Sequence, residues 1–122
     1  MIINSAINPL ASILDGENGI LLDQNLVEIV KEITREGKTI LEKDGIKIPD
    51  DIFEKTIDVI KNTSKNINST LSDLRKGNRT EIDYISGKII ETGERVNIPS
   101  PYNKALLNMV KFKENKLIQK SS

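Results

Sequence analysis

The chain has 122 residues, enough for one domain with a single core, and its 37% apolar but only 3% aromatic content builds that core from Ile, Leu and Val. Eighteen basic residues balance eighteen acidic ones, which argues against nucleic acid or an anionic membrane as partner, because such binding draws on excess Lys and Arg. Without Cys or His the chain excludes disulfides, thiolate zinc sites, a Ser-His-Asp hydrolase and a His-ligated metal centre, and its default location is a reducing cytoplasm.

Ile3, Ala6, Ile7, Leu10, Ile13 and Leu14 recur at helical spacing, so a first helix begins almost at once, kinked or interrupted by Pro9. This stretch lacks the charged start and cleavage site of a signal peptide and is too short to span a bilayer. Its apolar stripe predicts an exposed surface in need of a partner. Asp15 to Gly19 is a turn by composition. A calcium-binding loop starting at Asp15 fails, because Gly19 comes one place early and Leu26 stands where a bidentate Glu is required. A long amphipathic helix follows, with Leu26, Ile29, Val30, Ile33, Ile40 and Leu41 on its apolar side. Gly37 inside it costs about 1 kcal/mol relative to Ala, tolerable where another helix packs closely. Asp44-Gly45 ends the segment.

Pro49-Asp50-Asp51 opens the next helix, with Asp51 and Glu54 as a capping-box-like pair and Phe53, Ile57 and Ile60 on the buried side. Residues 61–68 read as a loop, and Ser69 to Arg75 as one or two helical turns ending near Gly77. Thr80 is the expected N-cap of a helix reaching about Val96, with Asp83 as its reciprocal partner and Ile82, Ile85 and Ile89 on one buried face. Ser100 as N-cap and Pro101 at the first helical position start the last helix. Tyr102, Leu106, Met109, Val110 and Leu117 are expected on its core side, with the lysines at 111, 113, 116 and 120 on a solvated face. No segment alternates like a strand, so the fold class is all-α, one domain with a bundle of five or six helices.

Few residues can carry chemistry. Asn4 and Asn8 lie four apart, so on a helix their amides share a face and suit an oxygen-rich ligand such as a hydroxy-acid carboxylate. Helix-end chemistry explains them as well, since Asn8 directly precedes a proline. Asn18 before Gly19 is equally a turn residue tolerant of positive φ. The Ser69 hydroxyl could meet a ligand or cap the short helix that follows. Glu81 could be an ordinary surface carboxylate at a helix start, where the dipole favours it.

The order of these signals carries more than any one of them. Asn-x-x-x-Asn-Pro-Leu from Asn4, then Asn-Gly at Asn18, Ser-x-x-x-Asp-Leu from Ser69, Arg-x-Glu-Ile-Asp-x-Ile-x-Gly from Arg79 and Ile-Pro-x-Pro-x-Asn from Ile98 resemble the C-terminal domain of ketopantoate reductases. The resemblance runs from Asn4 to about Lys113. It implies the helical domain of a 6-phosphogluconate-dehydrogenase-like reductase, which closes a cleft against an N-terminal Rossmann domain. It also implies NADPH as cofactor and reduction of ketopantoate (2-dehydropantoate) to pantoate, on the route to pantothenate and coenzyme A. By resemblance, Asn4, Asn8, Asn18 and Ser69 contact the substrate and Glu81 contacts the cofactor.

Two departures qualify the expectation. The chain holds no Gly-rich strand-to-helix loop for a dinucleotide. The family's proton-donating lysine falls four residues before Asn4, just ahead of Met1. The chain is therefore expected to be a C-terminal domain without its Rossmann partner, with no catalytic residue of its own and no metal, and inactive alone. Two other readings stand beside this one. The parent protein could reduce a different 2-oxo acid, or the chain could be a non-enzymatic helical module that forms a homodimer through its first helix.

Overall fold

The computed structural model describes the backbone of residues 1–121 and the side chains of residues 1–117. Its described residues form α1 (Ile2–Ile13), a 3-10 helix (Asn18–Leu22), α2 (Gln24–Lys43), α3 (Ile52–Asn62), α4 (Ser69–Arg75), α5 (Ile82–Val96) and α6 (Pro101–Ser121). The all-α expectation holds, with six α-helices and no strand among the described residues. No described helix is long and apolar enough to cross a membrane.

α1 is the axis of the fold, since every other element packs against it. Ile2, Ser5, Ala6, Ile7, Pro9, Leu10, Ala11 and Ser12 are all buried, so the helix is covered on nearly all sides. A helix apolar almost all round belongs inside a core. This corrects the expectation of a bare stripe, because the chain's own later elements cover it. The helix continues through Pro9, whose missing N–H leaves the Ser5 carbonyl without its usual partner four residues on. The strip of α1 left open carries Asn4, exposed, and Asn8, half-buried.

Ala6, Ile7, Leu10 and Ala11 meet Leu21 of the 3-10 helix, Val30 and Ile33 of α2, Ile60 of α3 and Leu106 of α6 in one cluster. Each fully buried Leu, Ile or Val in such a cluster contributes about 1.5–3 kcal/mol. Gly37 is the close approach between helices, since a Cβ there would lie 3.2 Å from Ile2 Cγ1 and 3.6 Å from Ile89 Cδ1. Ile29, expected on the apolar side of α2, is exposed.

Helix ends depart from the local expectations, because distant side chains take the capping roles. α5 begins at Ile82, and Thr80 Oγ1 accepts the Ile82 N–H at 3.2 Å. Asp83 does not return the bond. The Thr80 N–H goes to Glu114 Oε2 at 2.6 Å, and Asp83 pairs with Lys111 at 3.1 Å. Asp51 makes no side-chain cap on α3 and lies 4.0 Å from Lys55 instead. At the start of α6 the Tyr102 and Asn103 N–H groups both donate to the Glu36 carboxylate at 2.9 Å, so a carboxylate from α2 takes the place expected of Ser100. α6 buries Asn103, Leu106, Val110 and Glu114, whereas Tyr102 and Met109, expected in the core, are exposed. Lys113 is half-buried rather than on a freely solvated face. Its Nζ donates to the Ser12 and Ile13 carbonyls at 3.2 and 2.9 Å, closing the C-terminal end of α1. Lys111 pairs with Asp83, Lys116 stands 5.7 Å over the Phe112 ring, and the Lys120 side chain lies outside the described residues.

Candidate functional site

Asn4 and Asn8 sit one turn apart on the open strip of α1, as their spacing requires. The Asn8 carbonyl accepts the Ser12 hydroxyl from the next turn. Ser12 Oγ also stands 3.1 Å from Asn68 Oδ1, which ties the middle of α1 to the start of α4. Asn68 is the N-cap of α4, its Oδ1 accepting the Leu71 N–H at 3.0 Å. Asn is among the best N-cap residues, and Asn68 takes the capping role open to Ser69. Ser69 is then the first helical residue and is exposed.

Asn18 opens the 3-10 helix and is buried. Its backbone N–H donates to the Asn66 carbonyl at 3.0 Å, and Gly19 N–H donates to the Ser64 carbonyl at 2.8 Å. A Cβ on Gly19 would lie 2.8 Å from that carbonyl oxygen, so the glycine is needed for the close docking of the 3-10 helix on residues 63–68. The Asn18 side chain donates from Nδ2 to Thr63 Oγ1 at 3.1 Å and accepts on Oδ1 from Asn68 Nδ2 at 3.3 Å. The Asn18 side chain, the Asn8 carbonyl and, next to Asn68 in sequence, Ser69 thus meet at the junction of α1, the 3-10 helix and α4. Asn4 continues the strip one turn towards the chain's start.

Glu81 is placed by a different set of contacts. It occupies the N-cap position of α5 and is exposed. Its neighbour Thr80 is held by both backbone N–H and hydroxyl on Glu114 Oε2, at 2.6 and 2.7 Å. Glu114 is 3% exposed, and Arg79 reaches its other oxygen at 4.0 Å. An exposed carboxylate on this fixed segment can accept hydrogen bonds from hydroxyl donors such as those of a ribose. Among the described residues there is no strand, hence no strand-to-helix phosphate turn.

Asn68, Ser12, Thr63 and Glu114 are the residues that sequence reasoning missed. Asn68 had a local signal, an Asn just before the Ser-Thr-Leu start of a short helix. The other three act through partners distant in sequence. A cavity of about 510 Å³ lies between α4, α6 and the turn at Asp15, lined by Leu71, Leu74, Phe112 and Leu117 among others. None of the candidate polar residues lines it: Asn4, Ser69 and Glu81 are exposed, Asn8 is half-buried and Asn18 is buried at the junction.

An open polar surface invites comparison with longer proteins. The family described as ketopantoate reductase PanE/ApbA C terminal matches residues 1–114. The 2-dehydropantoate 2-reductase of Pyrococcus horikoshii is 44% identical over 115 residues, covering 93% of this chain and 38% of that protein. A PanE/ApbA family ketopantoate reductase from Ralstonia eutropha superposes with a TM-score of 0.89 at 29% identity, over 95% of this chain and 39% of that one. A D-mandelate dehydrogenase in complex with NADH matches with a TM-score of 0.84 at 26% identity, over 95% of this chain and 40% of that one. This chain therefore spans about two-fifths of the length of the relatives it matches.

Proposed function

The chain belongs to the ketopantoate reductase family as its C-terminal domain, and from that premise we propose that it supplies the substrate-binding face of an NADPH-dependent reductase of ketopantoate. The observation that carries the proposal is the open strip of α1. A helix wrapped by every other element leaves uncovered the side bearing Asn4 and Asn8, and the junction with Asn18 and Ser69 adjoins it. A second domain carrying the cofactor would close that face into a cleft. NADPH supplies the hydride for the ketone carbon of the substrate. The NADH-bound D-mandelate dehydrogenase, of similar fold, supports a nicotinamide cofactor.

The roles follow from side-chain chemistry. Amides and a hydroxyl offer donors to a carboxylate and a keto oxygen, and acceptors to a hydroxyl, without titrating near neutral pH. Asn4, Asn8, Asn18 and Ser69 orient the 2-oxo acid in this way, and Glu81 accepts from the cofactor. In this reading the proton comes from a lysine contributed by the rest of the reductase, and the residues named here bind and orient. The Rossmann domain is likewise assigned to the preceding part of the protein. With no Cys in the chain, we place the reaction in a reducing cytoplasm.

In the protein that includes the preceding domain, Ser69→Ala and Asn8→Ala are expected to raise KM for ketopantoate by about ten-fold each, the effect of one lost hydrogen bond. KM for NADPH should stay unchanged. Steady-state kinetics checks both, and an unchanged ketopantoate KM in both variants contradicts the assignment. The same arrangement would orient other 2-oxo acids, so a substrate series fixes the side chain preferred.

A second reading, self-association, rests on α6. Tyr102, Met109 and Phe112 are 41%, 44% and 62% exposed and fall on one side of that helix. An apolar stripe of this kind is a surface for a second copy of the chain. A dimer seen by sedimentation, and lost on Phe112→Glu, supports it. A strict monomer at high concentration contradicts it.

A further inference from the structure

We infer that Asn68 is a positioning residue of this site, fixing which way the Asn18 amide presents its donor and acceptor to the substrate. The inference rests on the reading of Asn8, Asn18 and Ser69 as substrate contacts. Asn68 is 8% exposed, and both ends of its carboxamide are committed.

The polarity of the network is set from both ends. The Val59 carbonyl can only accept, so the Thr63 hydroxyl donates to it at 2.7 Å. Having spent its one proton there, Thr63 Oγ1 must accept from Asn18 Nδ2 at 3.1 Å. The Asn18 Oδ1 is then the acceptor for Asn68 Nδ2 at 3.3 Å. At the far end the Leu71 N–H can only donate, so Asn68 Oδ1 is its acceptor at 3.0 Å. A carbonyl at one end and a backbone N–H at the other leave one assignment for both amides. An amide flip at either residue would set donor against donor or acceptor against acceptor. What remains for a ligand on Asn18 is one N–H and one lone pair, in fixed directions.

A helix cap explains only half of this arrangement. Capping uses an acceptor oxygen, and Ser, Thr or Asp would supply it. The Nδ2 donor is surplus to capping, and it faces a candidate substrate residue. The single Ser12 hydroxyl proton points at the Asn8 carbonyl and is shared at longer range, 3.1 Å, with Asn68 Oδ1, and Asn68 also starts the helix whose first residue is Ser69. One buried amide thus registers three of the four candidate substrate groups.

Asn68→Asp separates the two roles in the protein that includes the preceding domain. It keeps an acceptor for the Leu71 N–H, so the cap survives, but turns a carboxylate oxygen on Asn18 Oδ1. At neutral pH the ketopantoate KM should rise about ten-fold or more, with KM for NADPH unchanged. Relative to the parent, the defect should shrink as pH falls, because the protonated carboxyl can donate to Asn18 again. Asn68→Ser, which keeps only a cap, should show the KM defect without that recovery. Independently of turnover, the carboxylate of Asn68→Asp should turn the Asn18 amide over, so that by nuclear Overhauser contacts its Nδ2 protons move from Thr63 towards residue 68. An Asn18 amide that keeps its contacts to Thr63 overturns the inference whether or not the protein is a reductase. A turned amide with unchanged ketopantoate KM overturns it as a substrate-positioning role, and the fault then lies in the reading of Asn18 as a substrate contact.

Discussion

Glu114 shows what single side chains contribute to this protein. Its nearly buried carboxylate takes both the N–H and the hydroxyl of Thr80 and so fixes the residue before Glu81. Glu114→Ala strands the Thr80 N–H and should lower stability by about 1–3 kcal/mol, whereas Glu114→Gln keeps one acceptor and should cost less. Urea denaturation monitored by helical circular dichroism checks the order. Glu36, which accepts from Tyr102, Asn103 and the Asn103 side chain, is the equivalent support for α6. Removing it as Glu36→Ala should cost about 0.5–2 kcal/mol, the range for a lost N-cap, in the same assay. Neither role could be read locally. A Glu in a Lys-rich helix looks solvated, and Thr80 and Glu114 are brought together only by the packing of α5 on α6. The candidate substrate residues were proposed on the opposite kind of signal. Their signal is a fixed order of short motifs along the chain, while their supports, such as Asn68 and Thr63, depend on tertiary contacts.

At the scale of elements, the helices with regular apolar spacing were read closely. α2 buries Val30, Ile33, Ile40 and Leu41, and α5 buries Ile82 and Ile89, as period 3.6 requires. α6 was found, and Leu106 and Val110 lie on its inner face as expected. That face also takes Asn103 and Glu114, while Tyr102 and Met109, expected inside, face outward with Phe112. The short 3-10 helix at Asn18 read only as a turn, because its geometry depends on the loop at 63–68. Glycines in α5 give a paired test of packing. A Cβ at Gly93 would stand 2.7 Å from the Ile98 carbonyl oxygen, so Gly93→Ala must shift backbone and should cost about 1–3 kcal/mol. At Gly87 the nearest atom is Asp83 Cβ at 3.6 Å, an ordinary contact, so Gly87→Ala should gain about 0.5–1 kcal/mol from helix propensity. Thermal unfolding of the two variants should move in opposite directions.

For the whole molecule, the governing fact is that α1 is enclosed by the chain that follows it, except along the strip of Asn4 and Asn8. The chain's own elements cover the apolar sides of α1, while Asn4 and Ser69 beside the buried Asn18–Asn68 pair are exposed. The chain matches the C-terminal domain of its family and covers about two-fifths of its longer relatives, and in the proposal above the helical part orients substrate while the remainder brings the cofactor. The most direct test is NADPH oxidation in the presence of ketopantoate, comparing this chain with the protein that includes the preceding domain. The account predicts turnover by the longer protein, with a higher ketopantoate KM on Ser69→Ala, and none by the 122-residue chain. A longer protein that binds NADPH but reduces no 2-oxo acid, or a Ser69→Ala variant with unchanged ketopantoate kinetics, would contradict it.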